Sequence, residues 1–358
     1  VELALGLLTF MSAGFRPALS TSDVGGERLY HPQGQMLAAA EAGPPIEARA
    51  ALLYDVDADR IVFARNIHAR LAPASLTKLA IALVAVQRLD LAQVVTVGAE
   101  VAASDPAGVL VGLAPGDKAT VEQLLYATLL TSANDAATAL AAAAGGSVEG
   151  GVALMNELAA GLGLRDTRFV NPHGLDAAGQ YSSAYDLLLL TRAALRQPAI
   201  AAAVALPTAT LGSWRFVNRN ELVGRYAGAD GVKTGTTDAA GECLIASVTR
   251  NGHRVLAVLL GCQDRYADAR ALLDQYFVSY VWLPLALPAN AFTSLPPDSQ
   301  GRTRYLFAAD APQVLLARWE LPWLRLRLRL EPERGQGADY FSSAGFVVAE
   351  VPLAERTP

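Results

Sequence analysis

The chain is short of lysine. Of its 29 basic residues only three are lysines, Lys78, Lys118 and Lys233, and the rest are arginine. Genome composition accounts for such a bias, yet the positions that keep lysine are informative. Arginine cannot lose its proton inside a protein, whereas lysine can. Runs of basic residues are missing too, and the net charge is -5, which argues against nucleic-acid binding as the main task. The four histidines (His31, His68, His173, His253) are scattered, without the spacing of metal ligands. No phosphate loop is present, because Lys233 lacks the glycine spacing that such a loop needs. Neither a metal nor a cofactor is therefore expected.

Two cysteines cannot make a disulfide framework. Cys243 and Cys262 fall on one hairpin, CLIASVTRNGHRVLAVLLGC, which turns at Asn251-Gly252. In that register Cys243 faces Leu260 and Cys262 is its diagonal neighbour. Diagonal Cα pairs lie roughly 7–8 Å apart, too far for comfortable bridging, so two buried free thiols are expected.

What is present is a globular composition, 52% hydrophobic and 18% charged over 358 residues, enough for two domains and a sizeable core. The leader VELALGLLTFMSAGFRPALS has an apolar stretch of signal-peptide length but no basic flank. It reads equally as a signal peptide, an anchor or a floppy leader, and it is too short and interrupted for a clear membrane span. Residues 1–45 form this leader and a linker ending in Gly-Pro-Pro. Next, AALLYDVDADRIVFARN reads as a hairpin. Its DVDAD run resembles the start of a calcium loop, but Arg60 and Asn66 stand where Gly and Glu are needed, so it is read as a turn. From 76 to about 200 the chain is Ala/Leu-rich with helical periodicity, including LTKLAIALVAVQRL, VEQLLYATLL, DAATALAAAA and GVALMNELAAGLGL. Thr120 with Gln123 makes a capping box. Strands return from 207 to 262, and ADARALLDQYF closes the unit as a helix. The expected architecture is α/β (α+β): an antiparallel sheet flanking a helical subdomain over 46–280. Four prolines in 283–298 mark a boundary, and 281–358 read as a linker and small β-rich domain with LRLRLRL and GFVVAEVPL as strands.

The chemistry starts at PASLTKLAI, residues 73–81. Ser75 is a candidate helix cap, but a lysine in the first helical turn sits at the wrong end of the dipole. Positions i and i+3 share a helix face, so the Lys78 amine can reach the Ser75 hydroxyl. Dipole and burial both favour an uncharged amine, and a neutral amine beside a hydroxyl is a general base beside a nucleophile. Such a Ser-x-x-Lys on its own is weak, and its ordinary reading is a capped helix with a solvated lysine. Two further motifs follow it. Ser132-Ala133-Asn134 lies between helices, with Asp135 as a candidate cap. Asp230-Gly231-Val232-Lys233-Thr234-Gly235-Thr236 reads as a turn entering a strand. Gly235 would let another backbone approach, a peptide could pair along that strand, and Lys233 with Thr234 could hold a carboxylate. The Ser75 and Thr236 backbone N–H groups could form an oxyanion hole. His173, in Asn-Pro-His-Gly, is read as a structural turn residue, since no Gly-x-Ser-x-Gly elbow accompanies it.

Ser-x-x-Lys, Ser-x-Asn and Lys-Thr-Gly in this order resemble the signature of penicillin-recognising serine enzymes. PASLTK, LLTSANDAA, NPHGLDAAGQYSSAYDL, NRNEL, DGVKTGTTDAAGEC and DRYADARALLDQYF narrow the resemblance to the low-molecular-mass serine-type D-alanyl-D-alanine carboxypeptidases, peptidase family S11. It covers about 46–280 closely and the β-rich tail more loosely. The resemblance implies Ser75 as the acylated nucleophile, Lys78 as its base, and Ser132 and Asn134 as proton relay and amide holder. It implies Lys233, Thr234, Gly235, Thr236, Arg219 and Arg265 as the substrate-binding set. Thr236 stands where some members carry His, and no segment matches the membrane-binding C-terminal helix of several members. The implied partners are peptidoglycan stem peptides and, as covalent inhibitors, β-lactams; the implied place is extracytoplasmic, with any membrane attachment through the N-terminus. A serine β-lactamase shares the three motifs, but Glu149, Glu157 and Glu221 lack the loop context of a deacylating glutamate. A non-catalytic wall-binding protein and a D,D-endopeptidase are the other readings.

Overall fold

The computed structural model describes residues 2–3, 43–103, 108–285, 294–295, 297, 299–308, 312–331, 335–341 and 347–356. The apolar leader and the linker, apart from their edges, lie outside the described residues. The chain divides into two compact units, Pro44–Asp274 and a second made of Val1–Gly43 with Gln275–Pro358.

In the first unit, the hairpin at DVDAD forms β1 (Ala50–Asp55) and β2 (Arg60–Arg65). Its turn is closed by the buried Asp55 carboxylate, which accepts from the Asp57 and Ala58 N–H groups. Three later strands, β3 (Ala229–Thr237), β4 (Gly241–Arg250) and β5 (His253–Cys262), complete an antiparallel sheet in the order β2-β1-β5-β4-β3. β3 is thus an edge strand. The β4–β5 turn has Asn251 at φ 53° and Gly252 at φ 83°, the left-handed pair that a two-residue hairpin requires. Both cysteines are free and buried. A bulge between Leu259 and Cys262 moves Cys262 opposite Glu242.

The helical block packs on this sheet. Helix α1 (Lys78–Arg88) is buried from Lys78 through Ala85, because its apolar residues go all the way round and leave no solvent face. It packs against α2 (Asn134–Gly145), α3 (Val148–Gly161) and α4 (Ala184–Leu195) in one core shared with Leu52, Ile245, Leu256 and Val258 of the sheet. The Thr120–Gln123 capping box forms as read. VEQLLYATLL is not one regular helix: Val121–Tyr126 is α-helical, and Ala127–Thr131 widens into a π-turn that ends at Ser132 in the left-handed region, φ 65°. The closing helix α5 spans Arg265–Ser279.

In the second unit, LRLRLRL becomes the strand Arg325–Glu331, paired with Gly335–Phe341, which pairs in turn with Val347–Arg356. They belong to a six-stranded sheet whose small core contains Leu285, Ala338, Tyr340 and Val351.

Candidate active site

The Ser75 turn is built differently from the capped helix start that the sequence suggests. Ala74–Thr77 is a short 3-10 turn, and α1 begins only at Lys78. Ala74 has φ 49°, uncommon for a residue with a Cβ. No side-chain cap is made; the Ser75 hydroxyl is engaged by the Lys78 amine at 2.8 Å instead. Two neighbours hold the turn in place. A Cβ on Gly174 would fall 1.9 Å from the Ala74 carbonyl oxygen, and one on Gly235 would fall 2.8 Å from the Ser75 nitrogen. Glycine is therefore required at both places for close backbone approach. The room beside Gly235, expected for a substrate, is taken by the Ser75 turn.

Lys78 Nζ has two further partners at 2.7 Å, the Asn134 Oδ1 and the backbone carbonyl of His173. A neutral amine has two N–H donors and one lone pair. If Asn134 and His173 take the protons, the lone pair is left for the Ser75 O–H, which is the geometry of a base about to deprotonate a nucleophile. The electrostatics agree. Burial pushes the Lys78 amine well below its usual value, and the nearby charges of Lys233 and Arg219 add to the depression, with Asp135 opposing it.

Lys233 is buried as well, with its Nζ 2.8 Å from Ser132 Oγ and 2.8 Å from the Thr234 carbonyl. Burial, then Arg219 and Arg265, lower its pKa to about 7. The amine therefore points at Ser132 and not at open solvent, contrary to the expectation of a direct carboxylate ligand.

A cavity of about 730 Å³ opens over this cluster. Eight of the ten predicted residues line it: Ser75, Ser132, Asn134, Arg219, Thr234, Gly235, Thr236 and Arg265. Lys78 and Lys233 lie beneath its surface. Arg219 is exposed and carries no hydrogen-bond or ion-pair partner on its guanidinium among the described residues. Its backbone is fixed, its N–H donating to the Leu130 carbonyl and its carbonyl accepting from the Tyr266 hydroxyl. Arg265 is buried and paired with Glu242 at 3.1 Å, and this bond holds the Glu242 carboxyl below the usual range.

Three contributors were not read from the sequence. The His173 carbonyl is presented by a loop that Asn171 and Gln180 lock, with the Gly174 N–H donating to Asn171 Oδ1 at 2.7 Å and the Gln180 amide donating to the same oxygen at 3.2 Å. Asp176 accepts from the Thr237 hydroxyl and the Ala239 N–H, tying that loop to the end of β3. Asp135 is not a cap: the buried carboxylate accepts from the consecutive N–H groups of Val111, Gly112 and Leu113, and so anchors the chain that runs from Gly108 and Val109 in the cavity wall. Asn-Pro-His-Gly and the Asp after Ser-x-Asn were the available signals. Among the described residues no group of three metal-ligating side chains occurs.

Comparison with known proteins adds an independent line. A family model described as D-alanyl-D-alanine carboxypeptidase, peptidase S11, matches residues 37–264. The D-alanyl-D-alanine carboxypeptidase DacF of Bacillus subtilis (strain 168) is 36% identical over 251 residues, which cover 67% of this chain and 64% of that one. DacC of Escherichia coli (strain K12) is 34% identical over 291 residues, 77% of this chain and 70% of that one. The crystal structure of penicillin binding protein 6B from Escherichia coli superimposes with a TM-score of 0.70 at 30% identity, over 87% of this chain and 96% of that one. The chain thus spans about two thirds of the length of these two curated relatives.

Proposed function

The chain belongs to the D-alanyl-D-alanine carboxypeptidase family, peptidase S11, and on that premise we propose that it removes the terminal D-Ala from peptidoglycan stem peptides through an acyl-enzyme on Ser75. The observation that carries this reading is the Lys78 amine, buried and placed 2.8 Å from Ser75 Oγ, with Asn134 and the His173 carbonyl to hold its two protons. The stem peptide lies along β3, whose free edge offers the backbone pairing that an extended peptide needs. Ser75 Oγ attacks the carbonyl of the penultimate D-Ala while its proton passes to Lys78. Charge that develops on that oxygen is met by the backbone N–H groups of Ser75 and Thr236. Ser132 delivers its proton to the amine of the departing D-Ala and is reprotonated by Lys233, whose Nζ lies 2.8 Å away. Arg219, Thr234 and Thr236 face the departing carboxylate. Water then hydrolyses the ester: its proton passes through Ser132 back to Lys233, and Lys78 returns the first proton to Ser75 Oγ as the ester bond breaks.

A β-lactam presents its strained amide where the peptide carbonyl would lie, so it acylates the same serine. Peptidoglycan lies outside the cytoplasmic membrane, which places the protein there. No single helix among the described residues is long and apolar enough to cross a membrane; any membrane attachment would run through the N-terminal apolar stretch.

The test is release of D-Ala from a synthetic peptide ending in D-Ala-D-Ala. Release by the native protein and none by Ser75→Ala is the expected result. Equal release by both, or cleavage of the same peptide ending in L-Ala at a similar rate, would overturn the assignment.

A further inference from the structure

Arg265 and Arg219 line the same cavity but differ in what they have left to offer. A guanidinium carries five N–H donors. On Arg265, Nε donates to Glu242 Oε2 at 3.1 Å, and Nη1 donates to the carbonyls of Gly235 at 2.8 Å and Cys243 at 3.0 Å. Nη2 donates to Thr236 Oγ1 and lies 3.1 Å from Glu242 Oε1. All three guanidinium nitrogens are therefore engaged by acceptors within the protein. Gly235 and Cys243 are cross-strand partners, as are Thr236 and Glu242, so one side chain clamps two successive rungs of the β3–β4 ladder. The paired Glu242 carboxylate also cancels the charge of Arg265.

We infer that Arg265 is a positioning residue for the substrate carboxylate and not its ligand: by donating to Thr236 Oγ1 it turns the proton of that hydroxyl into the cavity, where Thr236 and Arg219 receive the carboxylate. A threonine hydroxyl has one proton and two acceptor sites. The Arg265 N–H takes an acceptor site and leaves the proton. Among the described residues no acceptor takes that proton, and Thr236 is exposed to the cavity. A cation donating to the oxygen also polarises the O–H and makes it a stronger donor to an anion. The charge that attracts the carboxylate from a distance is then that of Arg219, which has no internal counter-ion among the described residues.

This inference rests on the carboxypeptidase reading, and the experiment separates the two. Second-order acylation rates are measured with benzylpenicillin and with its methyl ester for the native protein, Thr236→Val, Arg265→Lys and the double variant. Each single change is expected to slow acylation by the free acid about ten- to hundredfold, as loss of a hydrogen bond to a charged group does. The ester is expected to be affected about threefold or less. The double variant should be no slower than the worse single one, because Arg265 acts through Thr236. Losses that multiply would show that Arg265 meets the carboxylate by itself and would overturn the inference.

A second measurement needs neither turnover nor the Arg265 variant. In nitrogen NMR spectra of the free protein, Thr236→Val is expected to shift the Arg265 Nη2 signal, and an unmoved signal overturns the inference. When a D-Ala-D-Ala peptide is added to Ser75→Ala, the Arg219 guanidinium signals should move and those of Arg265 should hold. Arg265 moving more than Arg219 overturns it as well. Absence of acylation in the native protein would count against the carboxypeptidase reading, while the free-protein spectrum still decides the Arg265–Thr236 contact.

Discussion

Replacing Gly235 with alanine adds one methyl group between β3 and the turn that carries Ser75. Its carbon would lie 2.8 Å from the Ser75 nitrogen, 2.9 Å from the Ala74 Cβ and 3.3 Å from the Leu76 nitrogen. Carbon atoms in good contact are about 3.5–4.0 Å apart, so strand and turn must separate by about 0.6–1 Å. Two of the three contacts are to backbone, and no rotamer change can relieve them. The turn cannot simply retreat, because Gly174 packs against its Ala74 carbonyl. The strand is held by the Arg265 clamp on the Gly235 carbonyl. Overpacking of this kind costs about 1–3 kcal/mol, which for a unit of this size lowers Tm by roughly 2–4 °C per kcal/mol. A displacement near 1 Å at a nucleophile costs up to about 10²-fold in rate. Gly235→Ala is therefore expected to melt several degrees lower and to be acylated by benzylpenicillin about ten- to hundredfold more slowly. Thermal melts followed by circular dichroism and quenched acylation time courses supply both numbers. A variant with unchanged Tm and acylation within about threefold of native would refute the claim that Gly235 sets the position of Ser75.

Other perturbations follow from the same geometry. Lys78→Arg puts a permanent cation where a neutral amine acts as the base, so acylation should fall by at least about 10²-fold; acylation at the native rate would remove Lys78 from the mechanism. Lys233 has a folded-state pKa of about 7 against an ordinary 10.5, so between those values the unfolded chain binds the extra proton and native stability rises with pH. Lys233→Met should therefore be more stable than native, with a gap that is widest at pH 7 and below and shrinks toward pH 10.5; melts at pH 6 and 9.5 that show the opposite trend would contradict the burial argument. Asp135→Asn loses the charge that gathers the Val111, Gly112 and Leu113 N–H groups. It should cost about 1–3 kcal/mol and raise KM for a peptide substrate as the Gly108–Val109 wall loosens, and an unchanged KM would separate the anchor from the site.

Much of this site could be read from spacing. Ser75 and Lys78 meet because i and i+3 share a face at a helix start, and Lys233, Thr234 and Gly235 meet them because an edge strand runs past that start. The β4–β5 hairpin follows from Asn-Gly alone, although the bulge before Cys262 has no such signal. What escaped the reading acts through backbone atoms or through distant partners. The part played by His173 is that of its carbonyl oxygen, which any residue type supplies, so the imidazole gave no clue. Asp135 looked like a cap because a carboxylate at a helix start usually is one, and the loop that it gathers lies 22–24 positions earlier. On the sequence alone the space beside Gly235 suits a ligand, whereas it admits the nucleophile's own turn. The motif puts Lys233 on the substrate side, and only the packing shows its amine on Ser132.

The most direct measurement is intact-mass analysis of the protein after mixing with benzylpenicillin, followed over time and mapped by peptide digestion, with Ser75→Ala alongside. A persistent adduct on Ser75, absent from the alanine variant, is the predicted result. An adduct on another residue, or no adduct on folded protein at any time, would contradict the account. An adduct that clears as penicillin is consumed would keep Ser75 as nucleophile but replace the carboxypeptidase with a β-lactamase.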